Sequence, residues 1–111
     1  MKRIAYLTVV ALAFLQGALH STLTFILQKW PSVDALWFLG TGLALLMWSG
    51  VNLLLARRGA STDTRVVVRV VNVLVLIFIG FSIQILGLKG NPQVVVLAAT
   101  GILMLGLSLA S

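Results

Sequence analysis

Arg57-Arg58-Gly59-Ala60-Ser61-Thr62-Asp63-Thr64-Arg65 is the one long polar run in a chain of 111 residues. It holds three of the eight Lys and Arg residues, and Arg69 follows one helical turn later. On either side the sequence is nearly continuously apolar, so the run reads as a loop joining two membrane-spanning hairpins. Apolar residues make up 60% of the chain and charged residues 9%, against roughly 25% charged in an ordinary soluble domain. Mean hydropathy is +1.14. In water, a chain this small could not cover so much apolar surface with so few charges. A helical span needs about 20 apolar residues, so the length suits four spans with short loops. The expectation is a single all-α integral membrane domain over residues 1–111: a four-transmembrane-helix bundle, with helices near 4–28, 33–56, 65–88 and 92–110 and a basic loop at 57–64.

Working outward from the loop, each helix has its own signals. Lys2 and Arg3 precede the apolar stretch from Ile4 to Leu15, which resembles a signal peptide. No small-x-small cleavage site follows, and the apolar run resumes through Leu27, so it is expected to be the first span. Tyr6 is placed near that interface, and Lys29, Trp30 and Pro31 end the helix at the opposite one. Ser32 is a plausible N-cap for the second span, with Asp34 in its first turn. Gly59 suits a C-cap, and Ser61, Thr62 or Asp63 could cap the third span. That span is rich in Val and Ile but lacks the alternation of a strand. Asn91-Pro92 reads as an N-cap followed by proline at the first helical position.

The basic residues act as topology signals. Lys2, Arg3, Arg57, Arg58, Arg65 and Arg69 fall on one side and Lys29 and Lys89 on the other. Six against two puts both termini and the central loop in the cytoplasm, N-in and C-in. The net charge of +6 is therefore read as facing anionic lipid head groups rather than nucleic acid. Thr41-Gly42-Leu43-Ala44-Leu45-Leu46 resembles Thr100-Gly101-Ile102-Leu103-Met104-Leu105; as a true repeat it would make the fold a 2+2 arrangement of helical hairpins.

Polar groups inside a bilayer are costly and often functional. By depth they fall into two groups. Asn52, Arg69 and Asn72 lie toward the basic end, where they read either as a hydrogen-bonded clamp between the second and third helices or as an anion site. Toward the other end lie Gln16, His20, Thr24, Asp34, Thr41 and Gln84, with Ser82 and Gln93 at similar depth. Gln16, His20 and Thr24 recur every four residues and share a face. His20 reads either as an imidazole satisfied by Gln16, Thr24 or a neighbouring helix, or as a contact for a lipid or quinone-like lipophile, or as a titrating group. One histidine, no cysteine and two aspartates cannot furnish a metal site of ordinary ligand number. Neither a metal nor a cofactor is expected. Trp30 and Trp37 fit an aromatic belt, and Trp48 is expected to serve packing.

Two resemblances follow from particular stretches. Trp30-Pro31-Ser32-Val33 and Trp48-Ser49-Gly50-Val51, in a chain of this length and span number, resemble the small multidrug resistance transporters in architecture. That family depends on a membrane-embedded glutamate in its first helix. This chain has none, and Phe14, Gln16 and His20 cannot replace it, so the likeness stops at architecture. Gly17-Ala18-Leu19-His20-Ser21-Thr22-Leu23-Thr24, the run from Asp34 to Leu46, and Asn52-Leu53-Leu54 resemble small uncharacterised four-helix bacterial membrane proteins. This likeness covers about the first half of the chain and implies a bacterial inner-membrane protein without implying an activity. The leading expectation is a non-enzymatic accessory or structural protein that contacts membrane lipids and assembles with its own copies or a larger complex. The alternatives are a small oligomeric transporter and an embedded enzyme using His20 with Asp34.

Overall fold

A computed structural model describes residues 2–111. It is all α, with α1 (Lys2–Leu27), α2 (Val33–Ala56), α3 (Thr62–Leu86) and α4 (Pro92–Leu109). All four helices are long and apolar enough to cross a membrane. The β-branched residues of α3 do not form a strand, because only a helix satisfies every backbone group within its own segment in hydrocarbon. The bundle measures 44 Å along its longest axis, matching a bilayer of about 40–45 Å with its head-group layers.

Caps set the helix boundaries. Ser32 Oγ accepts from the Ala35 amide at 3.1 Å and starts α2. Ser61 Oγ accepts from the Thr64 amide at 3.1 Å, so Ser61 is the cap and α3 begins at Thr62 rather than 65. The basic loop is correspondingly shorter, spanning 57–61. Gly59 is not the C-cap of α2. Arg57 takes that place in an extended conformation, its amide donating to Leu53 O at 3.1 Å, and Gly59 turns the loop two residues later at φ +79°. Asn91 precedes α4 as expected, but its side chain makes no cap bond there. Its Nδ2 turns back instead and donates to Leu86 O at 2.8 Å and Gly87 O at 3.3 Å, closing the end of α3. Pro92 lacks an N–H, so the first position of α4 leaves no donor to satisfy there.

Successive helices run in opposite directions. Hydrogen bonds join the start of α1 to the end of α2 and the start of α3 to the end of α4, so one end of the bundle gathers Lys2, Arg3, the 57–61 loop and Ser111. The hairpins α1–α2 and α3–α4 pack most closely. The pairs α1–α4 and α2–α3 close the bundle, and α2 and α4 also meet across its diagonal. At one level α1 and α2 touch backbone to backbone: a Cβ on Gly42 would meet Ser21 Oγ and lie 2.7 Å from Ser21 N, and one on Gly17 would lie 2.9 Å from Gly42 O. Small residues permit such an approach within a membrane. Gly101, which matches Gly42 in the sequence repeat, also faces its own hairpin partner, but it meets the side chains of Leu76 and Ile79. The two hairpins thus share a layout and differ in packing.

The core of Tyr6, Val9, Val10, Ala13, Leu45, Trp48, Leu55, Val68 and Met104 lies toward the Arg-rich end. Large apolar side chains cover the outside; Ile26 is 72% exposed and Ile85 81%. That surface suits hydrocarbon rather than water, and the chain is a multi-pass membrane protein with four candidate spans.

Candidate functional site

The buried polar groups near the Arg-rich end form one network that reaches all four helices. Asn52 of α2 and Asn72 of α3 are both fully buried. Asn52 Nδ2 donates to Asn72 Oδ1 at 2.8 Å, and Asn72 Nδ2 donates back to Asn52 Oδ1 at 2.9 Å. Tyr6 Oη of α1 donates to Asn52 Oδ1 at 2.6 Å, and Trp48 Nε1 donates to Asn72 Oδ1 at 2.7 Å. The remaining hydrogens go to backbone: Asn52 Nδ2 to Trp48 O at 3.0 Å, and Asn72 Nδ2 to Met104 O of α4 at 3.5 Å. Indole N–H can only donate. It therefore fixes Oδ1 of Asn72 on its side and, through the amide ring, the orientation of Asn52. Each amide oxygen accepts twice and each amide nitrogen donates twice, so no valence is left for a ligand.

Two members of this network differ from the sequence expectation. Tyr6 keeps its place near the Arg-rich end of the bundle, but it is 1% exposed and its hydroxyl is directed inward to Asn52 rather than outward to head groups. Trp48 does more than pack, because it supplies the donor-only group that orients the pair. Its spacing of four from Asn52 on α2 was the available signal. Arg69, grouped with Asn52 and Asn72 by depth, turns away from them. Its Nε donates to Ser108 O at 3.1 Å, and Nη2 donates to Leu109 O at 3.4 Å and Ser111 O at 3.0 Å. A cation on the last carbonyls of α4 satisfies acceptors that the helix leaves open and faces the negative end of its dipole.

The second polar group does not assemble into one site. Gln16 Nε2 donates to Thr100 Oγ1 of α4 at 2.8 Å. The His20 ring stacks on Phe38 of α2 with centroids 3.8 Å apart, so neither Gln16 nor the side chain of Thr24 is its partner. Thr24 Oγ1 donates to the His20 carbonyl. Thr41 Oγ1 donates to Trp37 O. Asp34 and Gln84 are exposed, and no hydrogen bond or ion pair joins Asp34 to His20. Four residues advance a helix by about 40° beyond a full turn, so Gln16 and His20 already look toward different neighbours, α4 and α2.

Sequence reasoning missed a lateral crevice between α2 and α3. It has a volume of about 450 Å³ and is lined by Trp37, Gly40, Thr41, Ala44, Leu45 and Trp48 of α2, by Val71, Leu74, Val75, Phe78 and Ile79 of α3, and by Leu97 of α4. No charged residue is among them. Trp48, held by Asn72, lies at the end nearest the network. The volume falls in the range of small-molecule sites, which are mostly apolar with few polar groups. Thr41 and the indoles of Trp37 and Trp48 are the polar side-chain groups in the lining, and those of Thr41 and Trp48 already donate elsewhere.

No family model, curated protein or solved structure matches this chain.

Proposed function

We propose that this protein is a non-enzymatic accessory component of a bacterial inner membrane that holds the apolar chain of a lipid or quinone-like lipophile between α2 and α3. The observation that carries this reading is the uncharged, mostly apolar crevice, whose lining includes Trp37, Leu74 and Phe78 on the exposed outer surface of the bundle. The occupant is thereby moved from the neighbourhood of His20, whose ring is engaged with Phe38. The six cations at one end of the bundle support a cytoplasmic location for both termini and the 57–61 loop. Exposed helical glycines with open space around them, Gly50, Gly80 and Gly106, support assembly with a second copy or a partner helix.

A transport pathway is less well supported. Between the asparagine network and the Gln16–Thr100 pair the section is filled by Ala13, Leu45 and Met104, all buried and apolar. The test is native mass spectrometry of protein released from membranes. Wild type should retain a lipophile, and Ala44→Trp, which fills the crevice, should lose it. Gly50→Leu adds bulk outside the crevice and should keep it. Equal retention in Ala44→Trp and wild type would remove the reading.

A further inference from the structure

At the Arg-rich mouth of the bundle a second cavity, of about 270 Å³, lies among the helix ends. Lys2 and Arg3 reach it from α1, Arg57 from the end of α2 and Arg65 from α3, with Tyr6 and Ser111 also in the wall. Neither Asp34 nor Asp63, the two carboxylate side chains of the sequence, lines it. Two of the acceptors in the wall are already engaged. Tyr6 Oη is directed to Asn52, and the Ser111 carbonyl accepts from Arg69. Among the described residues, Arg3 and Arg69 are the only arginines whose side chains make hydrogen bonds; those of Lys2, Arg57 and Arg65 make none. Arg3 is held through Nε, which donates to Ala56 O at 3.3 Å, and this leaves its terminal nitrogens for another acceptor.

Like charges gathered around one cavity repel each other, and an anion with several acceptor oxygens relieves that repulsion. Guanidinium groups present planar, bidentate donors that match phosphate. The helix ends also lie at the depth of the head-group layer, where basic pockets between helices meet lipid phosphates. We propose that this pocket binds a phosphate group, carried by an anionic phospholipid or free in solution. This site is independent of the α2–α3 crevice and stands whether or not that crevice holds a lipophile.

Two arms separate the sources of the phosphate. In the first, protein in nanodiscs of equal parts phosphatidylcholine and phosphatidylglycerol is ejected into a mass spectrometer, and retained phosphatidylglycerol is counted. In the second, inorganic phosphate is titrated calorimetrically into protein in a neutral maltoside micelle. Arg57→Gln with Arg65→Gln should weaken binding about tenfold or more in the arm that reports the true ligand. Arg58→Gln with Lys89→Gln removes the same charge from outside the cavity and should leave binding near wild type. A selective loss in the first arm identifies the lipid head group, and one in the second identifies free phosphate; either supports the proposal. Should the first double variant not fold, Arg57→Gln is compared with Arg58→Gln, since both side chains are exposed loop cations. Absence of binding in both arms, or equal losses in the paired variants, overturns it.

Discussion

Asn52 and Asn72 exchange both of their amide hydrogen bonds across α2 and α3, at 2.8 and 2.9 Å, in a pair whose remaining valences are filled by Tyr6, Trp48 and two backbone carbonyls. The arrangement fixes three things together. It sets the register of α2 against α3, it orients the indole of Trp48, and it draws the start of α1 and the C-terminal half of α4 to the same level. α2 and α3 are thereby tied at one end and parted toward the other, where the crevice opens.

The network is therefore expected to behave as one unit. Asn72→Ala orphans the Trp48 indole N–H and one hydrogen of Asn52 in a dry site, which costs about 2–3 kcal/mol. Asn52→Ala should cost a similar amount by orphaning Tyr6 Oη. The double variant should cost clearly less than the sum, because each single change already breaks the shared amide ring. Reversible unfolding in detergent measures all three. Strict additivity would mean that the two amides do not act as a pair.

Close approach at Gly42 makes a second expectation. A methyl group there meets Ser21 backbone as well as its hydroxyl, so Gly42→Ala should destabilise the α1–α2 hairpin by about 1–3 kcal/mol. Ser21→Ala should not restore it, since the backbone atoms remain. Gly40→Ala, two residues away in open space, should be neutral or slightly stabilising, because alanine favours the helix. Thermal unfolding of Gly42→Ala, of Gly42→Ala with Ser21→Ala and of Gly40→Ala gives the comparison; similar losses at 40 and 42 would show that helix propensity rather than contact sets the effect.

Arg69 ties the end of α4 to α3 through three carbonyls. Arg69→Gln keeps a polar side chain but cannot span them. Hydrogen exchange at the amides of Leu109 to Ser111 should then rise about tenfold, as expected when local opening becomes easier by about 1.4 kcal/mol, while exchange near Asn72 stays slow. Unchanged exchange at the end of α4 would mean that Arg69 serves the head groups and not the helix.

The spans were legible in the sequence because a membrane imposes a one-dimensional rule: some twenty apolar residues, bounded by polar ones. Ser32 was legible as a cap for the same local reason. The pairings Tyr6–Asn52 and Trp48–Asn72 were not, because they depend on the rotation and register of helices far apart in the chain. Gln16, His20 and Thr24 read as one stripe, yet the 40° drift per step sends Gln16 to Thr100 and His20 to Phe38. The crevice had no sequence signature at all. It lies where α2 and α3 part, and Ala44, Val75 and Phe78 line it as ordinary apolar residues. Asn91 carried a true helix-start signal, but its side chain had two helix ends within reach and took the carbonyls of α3.

Among the described residues, Gln16 and Thr100 supply the only side-chain hydrogen bond between α1 and α4, and it lies well inside the bundle's length. Thr100 Oγ1 donates to Val96 O at 2.8 Å while accepting from Gln16 Nε2 at 2.8 Å, so its single hydroxyl is used in both directions. Thr100→Val keeps the shape and removes the acceptor. Interhelical hydrogen bonds in membranes average about 0.6 kcal/mol in coupling and reach about 1.7, since an unpaired group there finds other partners. Gln16 is only half-buried and carries a flexible amide, so the lower part of that range is expected. A double-mutant cycle with Gln16→Leu and Thr100→Val, read by unfolding in detergent, isolates the coupling. A value near zero would mean that packing between Ala13 and Met104 holds α1 against α4 without help from this pair.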